Sequence, residues 1–85
     1  MSKKEDSPLY RLRQSLGASL QRLSKELDVS YPVLFAIEKG DYRILPAKFL
    51  KNLKKTEYAQ IELFEEEYYK FIDSQEKLNW SKASI

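Results

Sequence analysis

The stretch from Ser19 to Gly40 constrains the fold most, because it holds two short amphipathic segments on either side of a break. In each segment, apolar residues recur at intervals of three and four, which places them on one face of a helix. Ser19 and Ser30 precede the two segments, where a hydroxyl can accept hydrogen bonds from free backbone N–H groups. Asp28 interrupts the pattern, and Gly40 ends the second segment where left-handed backbone is usual. The apolar stripes are Leu20, Leu23 and Leu27, then Val33, Leu34 and Ile37.

Helical patterns also flank this stretch. A first helix is predicted from Pro8 to Leu16 with Gly17 ending it, since proline suits a first turn and glycine a C-terminus. After the helices over 20–27 and 32–39, Pro46 opens a fourth, and the segment 56–79 contains no glycine or proline. The sequence therefore predicts five helices and no sheet. The residues expected in the core are Leu12, Leu16, Leu23, Leu27, Val29, Leu34, Ile37, Leu50 and Leu53.

The C-terminal segment carries a heptad stripe, formed by positions 61, 64, 68, 71, 75 and 78, whose steps alternate between three and four. Gln75 is the polar member, as is common in dimeric coiled coils, where such a residue fixes the register. We expect the first half of the segment to close the domain core and the rest to project towards a second copy. The chain is thus predicted to be a homodimer. The predicted dimerisation residues are Phe64, Tyr68, Phe71, Gln75 and Leu78.

Charge is distributed unevenly along the 85 residues. The net charge is +2, but residues 1–55 carry +6 and residues 56–85 carry −4. The first part can therefore face a polyanion, which the last part would repel. Scattered charge on a solvated surface is the alternative interpretation. The overlap of the basic part with the two central helices favours a nucleic acid partner.

Several classes of function are disfavoured by composition. The chain has no cysteine and no histidine, so it lacks thiolate metal ligands, disulfides and the usual proton shuttle. It shows no nucleophile–base pair and no phosphate-binding glycine loop. We therefore expect no enzyme activity, no metal, no cofactor and no small-molecule ligand. With no signal-like N-terminus and no apolar run long enough for a bilayer, we expect a cytoplasmic protein without a membrane partner.

A helix, a short turn and a second helix make up the helix-turn-helix arrangement. Around this arrangement the sequence shows the spacing Leu12-Arg13…Gly17…Leu23…Leu27-Asp28-Val29-Ser30…Leu34…Ile37-Glu38-Lys39-Gly40. On this spacing, the chain resembles the phage-repressor (Cro/Xre-type) DNA-binding family over roughly Leu9 to Leu53. The resemblance implies an all-α fold, a five-helix lambda-repressor-like helix-turn-helix domain, here with an extended C-terminal helix.

The expected organisation follows from the resemblance and the pattern together. Residues 1–7 are expected to be a disordered arm, and residues 8–55 the helix-turn-helix domain. Residues 56–80 are expected to form the C-terminal helix that closes the core and dimerises. Residues 81–85 are expected to be a frayed tail.

The resemblance also implies roles for individual residues. Arg13 and Glu38 match the family positions that form a buried structural ion pair. The start of helix 3 would enter the major groove of double-stranded DNA, and the start of helix 2 would meet the backbone. The DNA-contacting positions that this implies are Ser19, Leu20, Ser30, Tyr31, Pro32, Phe35, Ala36, Lys39, Tyr42 and Arg43.

Helix 3 departs from the family pattern, which leaves two functions open. Leu20 stands where the family commonly has a glutamine, and the base-facing side chains are mostly apolar, whereas bases are distinguished by hydrogen bonds. Because a residue before proline avoids helical geometry, helix 3 is expected to begin one residue late, at Pro32. The first function is a sequence-specific, repressor-like transcriptional regulator of phage or plasmid type, acting as a homodimer. The second is a protein-binding module, an antirepressor or co-regulator, that binds a second regulatory protein through Tyr31 and Phe35.

Overall fold

A computed structural model of the chain describes the backbone of residues 7–83 and the side chains of residues 7–75. Within this part the protein is all-helical, with five helices and no strand, which confirms the predicted fold class. No helix there is both long and apolar enough to cross a membrane. The helices are α1 Pro8–Leu16, α2 Leu20–Leu27, α3 Tyr31–Lys39, α4 Ala47–Thr56 and α5 Ile61–Ala83.

Local capping sets the ends of the first three helices. The Ser19 hydroxyl accepts a hydrogen bond from the Arg22 N–H at 3.1 Å, which satisfies one of the free donors at the start of α2. Gly17 and Gly40 follow α1 and α3 in the left-handed conformation, with φ of 63° and 82°. These ends lie where the sequence places them.

The start of α1 corrects one boundary. Ser7 was assigned to the disordered arm, yet it is buried and is the N-cap of α1. The rest of the expected arm lies outside the described residues. A buried hydroxyl needs a partner, and Ser7 accepts the Tyr10 N–H at 3.5 Å.

Three other boundaries differ from the sequence prediction. α3 begins at Tyr31 rather than Pro32, because proline in a first helical turn removes an N–H that has no intrahelical partner. Pro46 precedes α4 as its N-cap instead of opening it. Glu57 ends α4 with a left-handed φ of 60°, so α5 starts only at Ile61. α5 then continues to Ala83, which includes residues expected to fray.

The core lies between α1–α4 and the first half of α5. Leu12, Leu16 and Leu50 were expected inside but are only partly buried at its edge, while the other predicted core residues are buried. Larger residues of α4 and α5 fill the centre instead, chiefly Phe49 and Tyr68. The buried apolar residues are Leu9, Ala18, Leu20, Leu23, Leu27, Val29, Leu34, Ile37, Leu45, Phe49, Leu53, Phe64, Tyr68 and Phe71.

From Phe64 to Phe71 the heptad stripe of α5 faces the chain's own core rather than solvent. Phe64, Tyr68 and Phe71 are buried within the single chain, so their side chains are not available to a second copy, contrary to the dimerisation role predicted for them. Gln75 donates to the Lys39 carbonyl of the same chain at 3.2 Å. Leu78, the last predicted interface residue, lies outside the residues whose side chains are described.

Candidate nucleic-acid interface

The start of α2 offers backbone donors rather than a side chain. Leu20 is buried, so its side chain is directed into the core and only its N–H can reach a ligand. The first N–H groups of a helix have no intrahelical acceptor and favour anions. Ser19, exposed beside them, uses its hydroxyl for capping. Of the two residues predicted to contact DNA here, Ser19 and Leu20, a phosphate would therefore meet mainly the backbone.

The turn that presents α3 is held by side chains that the sequence analysis missed. Ser24 donates from Oγ to the Val29 carbonyl at 2.6 Å, and Asn52 of α4 donates from Nδ2 to the Leu27 carbonyl at 2.6 Å. Asn52 interrupts the apolar side of α4, and a half-buried amide of this kind signals a partner that must satisfy it. These bonds fix where α3 begins.

The exposed face of α3 is an aromatic pair. Tyr31 and Phe35 are each 44% exposed, and their rings stack with centroids 6.3 Å apart and an interplanar angle of 12°. Pro32 is exposed beside them and Ala36 is half-buried. Ser30 makes no capping hydrogen bond with its side chain. The predicted base-facing residues thus share one surface, which carries few hydrogen-bonding groups.

Lys39 continues this surface at the end of α3. Its Nζ lies 5.2 Å from the centre of the Phe35 ring, a cation–π distance, and 3.4 Å from a carboxylate oxygen of Asp41. Both charged side chains are more than half exposed, so this ion pair is weak. A phosphate that binds Lys39 has to compete with this exposed ion pair and with the contact to the Phe35 ring.

The loop after α3 carries the other two predicted phosphate contacts. Arg43 is exposed, whereas Tyr42 is half-buried and packs against the core. The Tyr42 carbonyl accepts a hydrogen bond of 2.6 Å from Tyr68 Oη. The Tyr42 ring is therefore less accessible to a phosphate than its predicted role as a DNA contact requires.

The predicted ion pair is present between α1 and the last turn of α3. Arg13 donates from Nε and Nη2 to Glu38 Oε1 at 2.9 and 2.7 Å, and from Nη1 to the Ala18 carbonyl at 3.3 Å. Glu38 is only 5% exposed. The pair connects α1, the α1–α2 turn and the last turn of α3, as the predicted structural role requires.

The groups with clearly shifted pKa values lie outside α3. Burial raises the pKa of Tyr68 to about 12. A hydrogen bond from Tyr58, aided by Arg22, lowers the pKa of Glu26, and the same bond raises the pKa of Tyr58. Among the described side chains, no cluster of acidic residues can hold a metal ion.

Comparison with known protein families identifies the type of domain. A family model described as a helix-turn-helix domain matches residues 9–61, which is more than half of the chain. The match covers α2, α3, α4 and nearly all of α1, and it ends at the first residue of α5. No curated protein and no solved structure matches the chain.

Proposed function

Because this chain belongs to the helix-turn-helix family, we propose that it is a sequence-specific transcriptional regulator that binds double-stranded DNA. We further propose that it is repressor-like, of the phage or plasmid (Cro/Xre) type, and acts as a homodimer. The observation that carries the DNA role is the exposed face of α3, which ends in Lys39, is followed by Arg43 in the next loop, and lies inside the matched region.

The α3 surface suggests how the duplex would be bound. In helix-turn-helix proteins the second helix lies in the major groove and its first residues meet base edges. Here Tyr31 and Phe35 occupy that part of α3, and their rings suit thymine methyl groups better than hydrogen-bonding base edges. Lys39 and Arg43 then supply phosphate contacts. Most of the affinity should come from phosphates, with modest discrimination between sequences.

Titration of duplex DNA at several salt concentrations tests this proposal. Each neutralised phosphate contributes about −0.9 to the slope of log affinity against log salt. We expect Lys39→Ala and Arg43→Ala each to weaken binding to all duplexes and to flatten the slope by about one unit. Lys54→Ala, which removes the same charge from the last turn of α4, is the matched control and should change the slope little. Failure of the wild-type chain to bind any duplex at low salt would overturn the DNA role.

A second candidate function is favoured by one specific observation, the exposed and stacked pair Tyr31 and Phe35. Aromatic residues of this kind are enriched at the centres of protein–protein interfaces. In this alternative the chain binds a second regulatory protein through α3. Tyr31→Ala and Phe35→Ala would then abolish that binding, whereas Lys39→Ala would alter mainly the association rate. In the DNA function, the same aromatic variants change preference at one or two base pairs.

A further inference from the structure

We propose that α5, through Tyr68, Tyr69 and Gln75, positions the loop that carries the phosphate-binding residues, and so sets DNA affinity from outside the matched region. These three positioning residues are not proposed to touch DNA. The inference rests on the proposed function, since it concerns the same surface. It is carried by hydrogen bonds at the beginning, middle and end of the segment 39–45.

The bond at the middle of the segment is the shortest. Tyr68 is fully buried, and its Oη donates to the Tyr42 carbonyl at 2.6 Å. A buried hydroxyl without an acceptor costs free energy, so this bond fixes both partners. The carbonyl that it holds belongs to the residue directly before Arg43.

The bond at the beginning holds the end of α3. Gln75 donates from Nε2 to the Lys39 carbonyl at 3.2 Å, one of the last carbonyls of α3, which lack helical donors. Side chains of α5 also pack closely against Gly40 here. A Cβ added to Gly40 would lie 2.9 Å from Cε2 of Phe71 and 3.0 Å from Oε1 of Gln75. Glycine at residue 40 therefore leaves room for these two side chains, and its φ of 82° favours glycine as well.

The bond at the end closes the segment. The Leu45 N–H donates to Tyr69 Oη at 3.4 Å, and Leu45 itself is buried. Lys39 and Arg43 consequently lie on backbone that α5 holds on both sides. A loop that is already ordered in the free protein does not lose conformational entropy by becoming ordered when it binds a phosphate. This is the physical route from α5 to DNA affinity.

Two variants that each remove one of these hydrogen bonds test the inference. Tyr68→Phe removes one hydroxyl and keeps the buried ring, and Gln75→Ala is a second variant that does not alter the buried centre. Tyr58→Phe is the matched control, because it removes a hydroxyl bonded to Glu26, away from the loop. The two readouts are amide hydrogen exchange of Asp41 and Leu45 and the affinity for a random duplex pool, both measured on the full chain.

We expect Tyr68→Phe and Gln75→Ala to speed exchange of the loop amides by about threefold to tenfold, the equilibrium worth of one hydrogen bond. Duplex affinity should fall by a similar factor, while amides of α2 and the control variant stay unchanged. Unchanged loop exchange, or an equal rise in every helix, overturns the positioning role. Absence of duplex binding by the wild-type chain overturns the proposed function and the DNA part of this inference. In that case, loop exchange still decides whether α5 holds the segment.

Discussion

Arg13 directs two donors, Nε and Nη2, at a single carboxylate oxygen of Glu38, at 2.9 and 2.7 Å. The third donor, Nη1, goes to the Ala18 carbonyl. One guanidinium therefore joins the end of α1, the turn before α2 and the last turn of α3. Since the carboxylate is almost completely buried, loss of one partner should lower the free energy of unfolding more than replacement of both.

Removing one member of this pair should destabilise the protein strongly. Glu38→Ala leaves the Arg13 guanidinium without its carboxylate and is expected to cost about 3–5 kcal/mol of unfolding free energy. The double variant Arg13→Met with Glu38→Leu should be less destabilised than Glu38→Ala, because no uncompensated charge remains. Urea denaturation of the three proteins measures this. A loss below about 1 kcal/mol for Glu38→Ala would show that the pair is effectively solvated.

The two glycines form a natural comparison for the contact between α3 and α5. Both have positive φ, so alanine at either position should cost about 1–2 kcal/mol from backbone strain. A Cβ at Gly17 meets nothing within 4 Å, whereas at Gly40 it would press on Phe71 at 2.9 Å. Gly40→Ala should therefore lose about 1–3 kcal/mol more than Gly17→Ala. Equal losses in denaturant unfolding would argue against close packing of α5 on α3.

Helix ends that depend on neighbouring residues could be predicted from sequence. Ser19, Gly17 and Gly40 act through hydrogen bonds and backbone conformations within a few residues, so their roles are visible locally. The break before α5 was missed, because Glu57 adopts a left-handed φ with no glycine to indicate it. The hydrogen bonds at the break are local, from the Glu57 N–H to the Lys54 carbonyl and from the Tyr58 N–H to Thr56 Oγ1, but no residue type there indicates them.

The heptad stripe illustrates a different limit of sequence reasoning. Apolar residues spaced alternately by three and four show which face of α5 is apolar. They do not show whether the surface that packs against this face belongs to the same chain or to a second copy. Tyr68, within the stripe, indicated a further contact, since a buried tyrosine hydroxyl requires a hydrogen-bond acceptor. That acceptor, the Tyr42 carbonyl, lies on a loop distant in sequence. The α5 contribution to the candidate interface therefore emerges only from the structure.

Truncation separates the core function of α5 from dimerisation. Residues 1–70 lack Phe71, which is buried, and should lose about 3 kcal/mol or more relative to residues 1–75. Thermal unfolding of the two chains measures this difference. If the proposed homodimer forms through the part of α5 that includes Leu78, sedimentation should show the full chain as a dimer and residues 1–75 as a monomer. A monomeric full chain at high concentration would rule out the homodimer.

The buried hydroxyl of Tyr68 should contribute to the loss of stability at alkaline pH. Burial raises the pKa of Tyr68 to about 12, against 10.0 for an ordinary tyrosine. The unfolded chain loses this proton near pH 10, while the folded chain keeps it until about pH 12. Its contribution to stability is therefore fully present below pH 10 and falls as pH rises towards 12. The loss amounts to roughly 2–3 kcal/mol across this window, since each pKa unit corresponds to about 1.4 kcal/mol.

Tyr68→Phe provides the comparison, because the five other tyrosines and all lysines are common to both proteins. At pH 9 the wild-type chain should be the more stable, by about 1 kcal/mol for the hydrogen bond to Tyr42. Between pH 10 and 12 this advantage should shrink and then reverse, because only the wild-type chain has a proton to lose at residue 68. Denaturant unfolding at a series of pH values, with tyrosinate absorbance followed in parallel, measures both effects. Curves that stay parallel up to pH 12 would mean that Tyr68 ionises in the folded chain as easily as in the unfolded one.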